Sequence, residues 1–178
     1  MTLVFGDVMM DILVKVESAL NYGSDAIGSI AIEGGGSAAN FASWLSYLDD
    51  NVLFIGKIGD DFAGIFLKKD LEKYGVKSIL IEGKGEASGK IIILIDKRGE
   101  RTMITDRGAN LTIRASDIPK EFPSNAQHLH LTGYSFFGSQ TLLDSTLTIL
   151  EKCRERGLTV SVDPSSYSFI REFGPKNF

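Results

Sequence analysis

At 178 residues, with 43% hydrophobic and 24% charged, the chain has the size and make-up of one globular domain, which excludes wholesale disorder. Its net charge of -4, with Lys and Arg scattered, argues against a nucleic-acid partner and against a membrane surface. The longest aliphatic run, Ile91 to Ile95, is too short for a membrane span, the N-terminus has no basic leader, and the lone Cys153 fits a reducing cytoplasm.

Thr2 to Gly6 is a short apolar run ending in glycine, the pattern of a buried strand. From Asp11 the pattern alternates, with Ile12, Val14 and Val16 against Lys15 and Glu17. A second alternating stretch runs from Ile27 to Glu33 after a turn-rich Asn21-Tyr22-Gly23-Ser24-Asp25. The two predict an antiparallel pair with one wet face. After Gly34-Gly35-Gly36, Ser37 is expected to cap a helix with Phe41, Trp44, Leu45 and Leu48 at helical spacing. A strand from Val52 to Ile58, a helix from Phe62 to Tyr74 stopped by Gly75, and a strand from Ser78 to Glu82 follow. That alternation is the mark of an α/β fold with a mostly parallel sheet.

A second antiparallel excursion pairs Gly89 to Ile95 with Glu100 to Asp106 across the turn Asp96-Lys97-Arg98-Gly99. The α/β rhythm resumes with a strand from Gln127 to Thr132, a helix from about Ser139 to Arg156, a strand from Leu158 to Asp163, and the start of a helix after Pro164. Neither hairpin can bury two faces against the main sheet. The two are therefore expected to pair with each other as a separate small β layer.

The glycine block Gly34 to Gly36, followed by Ser37-Ala38-Ala39-Asn40, is the strongest local signal. Glycines let backbone N–H groups approach a ligand, and a helix N-terminus adds partial positive charge. The stretch also satisfies Gly-x-Gly-x-x-Ala, a dinucleotide pattern, but it follows a wet strand instead of the buried first strand that such folds use. Asp7 and Asp11 follow the first buried strand, where α/β sheets bind ligands. Asp61 reads as a helix cap. His128 and His130 share a strand face without further ligands at metal spacing, and Cys153 has no base to make it a nucleophile.

Taken together, these stretches resemble the ribokinase-like (PfkB) family of carbohydrate kinases over nearly the whole chain. The anchors are Gly6-Asp7-Val8-Met9-Met10-Asp11, Gly35 to Asn40, Gly56-Lys57-Ile58-Gly59-Asp60-Asp61 with Gly64, Gly99-Glu100-Arg101-Thr102, and Gly108-Ala109-Asn110. The resemblance implies one ribokinase-like α/β domain over 1–178, with lid strands at about 11–33 and 89–107. It implies ATP- and Mg2+-dependent transfer of a γ-phosphoryl group to a hydroxyl of a sugar or sugar acid. Asp11 would bind sugar hydroxyls, with Gly35, Gly36, Ser37 and Asn40 forming the cradle. Arg107 falls where some keto-sugar kinases place a substrate-gripping arginine, and Asp163-Pro164 resembles the family's strand-end Asp-Pro-Asn, with Ser165 in place of the asparagine. Met9 stands where ribokinases carry a sugar-binding asparagine, which argues against ribose.

The family's second signature, Asp-Thr-x-Gly-Ala-Gly-Asp, which supplies the base and the anion hole, has no match in this chain. The expectation is therefore the substrate-binding and lid half of a kinase of ~300 residues, with no catalytic residue and no metal ligand of its own, and inactive alone. A cytoplasmic homodimer is expected, joined through an apolar lid surface of Ile12, Val14, Val16, Ile91, Ile93 and Ile95. Two other readings stand beside it: a non-catalytic sugar-binding or regulatory module, and a nucleotide-binding oxidoreductase domain built on Gly34 to Ala39.

Overall fold

The computed structural model describes residues 1–20, 23–48, 50–167, 170–171 and 174. Strands β1 (Thr2–Phe5), β4 (Val52–Gly59), β5 (Lys77–Gly83), β8 (His128–Thr132) and β9 (Thr159–Asp163) make one parallel sheet in the order β5-β4-β1-β8-β9. Strands β2 (Met9–Val16), β3 (Gly28–Gly35), β6 (Gly89–Ile95) and β7 (Arg101–Asp106) make a second sheet, ordered β3-β2-β6-β7. The two hairpins are joined by the parallel pairing of β2 with β6. The separate β layer expected from the change of period is thus one four-stranded sheet.

Parallel strands are buried on both faces, and β1 shows why. Leu3 and Phe5 face helix α3 (Gln140–Glu155) with Leu142, Ile149 and Cys153, while Val4 faces the opposite layer. That layer is formed by helices α1 (Ser37–Tyr47) and α2 (Phe62–Lys73), through Ala38, Ala39, Ala42, Ala63, Leu67 and Leu71. Ser139 caps α3 by accepting from Leu142 N at 3.1 Å. Asp61 caps α2 by accepting from Gly64 N at 2.9 Å.

Two expectations for α1 need correction. Ser37 is the first residue inside the helix, and Gly36 (φ 93°) is its N-cap. The chain turns into α1 so close to β1 that a Cβ on Gly36 would stand 2.5 Å from Asp7 O. Nor do all four large apolar residues turn inward. Phe41 and Leu45 pack against the core, but the fully buried face is alanine, because only a thin face lets the helix lie this near the sheet, and Trp44 is left 65% exposed.

The lid differs from expectation in register. Ile12 lies between Ile32 and Ile92, and Ile92 pairs with Ile104. One isoleucine row therefore crosses all four strands on one face. Ile91, Ile93 and Ile95, expected to add to this apolar surface, belong to the other face with Asp11 and Leu13. Of the turn at 21–25, Asn21 and Tyr22 lie outside the described residues, as does most of the segment after Pro164.

Candidate functional site

The chain leaves β1 for β4 and β5 on one side, then returns to β8 on the other. The crevice past the C-terminal ends of β1 and β8 is thus the topological switch point, where open α/β sheets bind ligands. Asp7 stands at this point, 5% exposed. Arg107, at the end of β7, donates from Nε to Asp7 Oδ2 and from Nη2 to Asp7 Oδ1, each at 2.8 Å. The same guanidinium donates to the carbonyls of Tyr134 and Phe137. Burial pushes the Asp7 carboxyl up, and the hydrogen bond and charge of Arg107 pull against it. Thr132 Oγ1 at the end of β8 is a buried side-chain oxygen without a partner among the described residues.

Asn110 ties the root of the lid to this point. Its Oδ1 accepts from Val8 N and its Nδ2 donates to Val8 O, both at 3.0 Å, which gives the backbone between β1 and β2 a strand-like partner. The Gly59-Asp60-Asp61 stretch does similar work on the other flank. Asp61 accepts from Ser88 Oγ at 2.6 Å and from Lys90 Nζ at 2.8 Å. Burial works against its ionisation, but these bonds, with those from Gly64 and Ser88 backbone, hold its carboxyl well below the usual range. Lys57 is 6% exposed and spends its ammonium on Glu86 Oε1, Thr112 O and Thr112 Oγ1. These groups are bonded to one another within the protein and hold the lid root.

Asp11 is different. It lies on the lid face away from the isoleucine row, beside Glu33 of β3 and Ile91 of β6. Its carboxylate rests against bare backbone, since a Cβ on Gly35 would stand 2.3 Å from Asp11 Oδ2. No hydrogen bond reaches it among the described residues, and burial pushes its carboxyl up to about 6. Gly36 and Ser37 open α1 beside it, and Asn40 follows one turn later with an exposed side chain. At this helix start Ala39 N is taken by Asp7 O at 3.2 Å. A half-buried, unpartnered carboxylate at a helix N-terminus is equipped to accept hydroxyl protons, while the nearby N–H groups receive oxygens.

The structure thus gathers Asp11, Gly35, Gly36 and Ser37 at one lid-to-helix junction, whereas Asn40 lines a groove with Gly34 and Asp70. Arg107 is elsewhere and committed, because Asp7 and two carbonyls hold it. Asp163 ends β9, two strands and roughly 10 Å from β1. Its Oδ1 accepts from Ser165 N at 2.9 Å. His128 and His130 share Ser161: His128 Nε2 and His130 Nδ1 each lie 2.8 Å from its Oγ. His130 stacks on Phe41 with ring centroids 3.5 Å apart, which is packing. The Asp7–Arg107 pair, the Asn110 bridge and the Lys57–Glu86 pair carry no local sequence signal, because their partners are 29 to 102 residues apart.

The profile of the pfkB family carbohydrate kinases matches residues 1–173. A protein described as ATP-dependent ribose-1-phosphate kinase, from Halopiger xanaduensis, is 32% identical over 172 residues, covering 95% of this chain and 55% of that protein. Among solved structures, a ribokinase from Giardia lamblia superposes with a TM-score of 0.82 at 20% identity, over 93% of this chain and 55% of that one. A ribokinase from Cryptococcus neoformans var. grubii, solved in complex with ADP, has a TM-score of 0.74 at 27% identity, over 99% and 55%. The chain spans little more than half the length of these relatives.

Proposed function

The chain belongs to the pfkB family of carbohydrate kinases, and on that premise we propose that residues 1–178 form one α/β unit that supplies the sugar cradle and lid of an ATP-dependent sugar kinase of the cytoplasm. The observation that carries the reading is Asp11. An ionised carboxylate, half removed from water and given no donor by its own chain, is costly unless a ligand brings the donors. Sugar hydroxyls meet that need, with the glycine-flanked N–H groups of Gly36 and Ser37 within the same junction.

In this reading the chain's own groups bind and orient. Asp11 accepts from one or two hydroxyls and so fixes which face of the sugar is presented. The lid sheet, rooted by Asn110, Asp61 and Lys57, carries Asp11 over the crevice and limits water there. The phosphate donor and its Mg2+ are another matter. Among the described residues no three His, Cys, Asp or Glu side chains gather as metal ligands. Mg2+ carried by a nucleotide needs only one or two carboxylates beside the phosphates, so the nucleotide site is not assigned to particular residues of this chain.

Calorimetric titration with a panel of aldoses, ketoses and sugar acids tests the reading. Binding of at least one sugar is expected, with a loss of about 1–3 kcal/mol in Asp11→Ala, the range for a hydrogen bond to a charged group. Equal affinity of parent and variant for every sugar bound would overturn the role of Asp11. Turnover by this chain alone with ATP, Mg2+ and the bound sugar is expected to stay at background. Measurable transfer abolished by Asp163→Asn would instead place a base in this chain.

The lid supports a second part of the proposal, a homodimer. Ile30 is 70% and Ile104 60% exposed on the face of the isoleucine row, and contiguous exposed apolar surface of that kind marks contact sites. Sedimentation is expected to show a dimer that Ile104→Lys dissociates without loss of secondary structure. A strictly monomeric parent at high concentration would count against the lid as interface.

A further inference from the structure

The first glycine of the block serves a different carboxylate. A Cβ on Gly34 would stand 2.0 Å from Asp70 Oδ2, so Asp70 of α2 lies directly on bare strand backbone, as Asp11 does at Gly35. Successive strand residues face opposite ways. The two carboxylates therefore occupy opposite faces of the end of β3. On the Asp70 side a groove of about 340 Å³ opens between α1 and α2. Trp44, Tyr47 and Tyr74 line it, with Asn40 and Ser43 among its polar groups.

Neither the sugar cradle nor the lid interface uses this groove. The rings of Trp44 and Tyr47 meet at 90° with centroids 5.7 Å apart, a corner of two aromatic surfaces. The Asp70 carboxylate has no hydrogen-bond donor among the described residues. Burial pushes its carboxyl up, with Lys73 pulling it back and the charge of Glu33 pushing it further. The chain itself shows what an aromatic wall of this groove accepts: Lys73 Nζ lies 4.9 Å from the centroid of the Tyr74 ring. Aromatic faces attract ammonium groups through the ring quadrupole, most strongly with Trp and beside a carboxylate. A neutral ligand of equal size would bring no charge to offset the Asp70 carboxylate beyond what Lys73 supplies.

We propose that this groove is a binding site for small organic ammonium compounds, with the cationic head against Asp70 and boxed by Trp44, Tyr47 and Tyr74. The site does not depend on what the cradle at Asp11 binds.

Trp44 is the sole tryptophan of the chain, so its emission reports on the groove directly. Titration of the full chain with tetramethylammonium chloride, against sodium chloride at matched ionic strength, is expected to give a saturable change in emission. Asp70→Asn and Tyr47→Ala are each expected to weaken the apparent affinity about tenfold. tert-Butyl alcohol, uncharged and of the same size, is expected to give no saturation. Because Tyr47 is 71% exposed, its variant keeps the fold and decides the matter if Asp70→Asn does not fold. A response matching that of sodium chloride overturns the proposal. So does parent-like titration of Tyr47→Ala, or saturation by the alcohol at the same concentration. Trp44 emission is read without any sugar present, so failure of the sugar titrations leaves this test standing, and the converse holds.

Discussion

Arg107→Ala is expected to destabilise the chain by about 3–5 kcal/mol, the cost of stranding one member of a buried ion pair. The pair is bidentate at 2.8 Å on both arms, with side chains 7% and 11% exposed. It joins the end of β7 to the end of β1, 100 residues apart, and through Tyr134 O and Phe137 O it also holds the turn after β8. A domain of this kind has about 5–15 kcal/mol in total, so the variant should sit near the edge of folding. Arg107→Lys should recover only part of the loss, because an ammonium cannot bond both carboxylate oxygens in the plane of a guanidinium.

Removing both charges separates the pair from its surroundings. Asp7→Ala with Arg107→Ala should cost clearly less than the two single losses added, since no charge is then left unpaired. Urea unfolding followed by circular dichroism measures all four proteins. A loss under about 1 kcal/mol for Arg107→Ala would mean that the guanidinium is solvated in solution. Arg107 would then be available as a substrate contact after all.

What the sequence revealed depended on how local each signal was. Buried runs such as Thr2 to Phe5 and Val52 to Ile58, and the cap Asp61, act over a few residues and appear where expected. The pairing of the two hairpins was also legible, because a half-wet hairpin has to cover its other face. Their register was not. Whether Ile12 meets Ile91 or Ile92 is decided between strands some 80 residues apart, and a one-residue slip moves every side chain to the other face. The buried side of α1 was misleading for another reason. Hydrophobicity favoured Trp44 and Leu48, whereas the close approach of helix to sheet demanded Ala38, Ala39 and Ala42.

The glycine block shows the same division. As a place where backbone must come close to something, it was apparent from sequence. That three different groups crowd it, Asp70 at Gly34, Asp11 at Gly35 and Asp7 O at Gly36, emerges only when β2, β3, α1 and α2 are assembled. Asp70 lies in an ordinary amphipathic helix and has no motif around it. Its significance comes entirely from the strand end beneath it.

Asp11→Asn is expected to make the chain more stable and a poorer sugar binder at once. Burial pushes the Asp11 carboxyl up to about 6, above the ordinary value of about 3.9 that holds when the chain is unfolded. The folded state therefore binds the proton more tightly, and the ionised form is the costly one. That cost is absent below about pH 4, grows between about pH 4 and 6, and is fully present at pH 7. Two units of displacement correspond to at most roughly 3 kcal/mol, and partial solvent contact lowers this to about 1–2 kcal/mol. Asparagine fills the same space over Gly35 without a charge. Its advantage over the parent in urea unfolding should thus be near zero at pH 4 and reach that value at pH 7. A constant difference across this range would mean that Asp11 ionises freely in the folded chain. Sugar binding should run the opposite way. Hydroxyl donors stabilise the ionised carboxylate, so parent affinity should rise with pH through about 6, while that of Asp11→Asn stays flat. Bound sugar must then lower the Asp11 value, and binding near pH 6 should release a fraction of a proton. Calorimetry in two buffers of different ionisation enthalpy detects that release directly, and its absence would remove Asp11 from contact with the sugar.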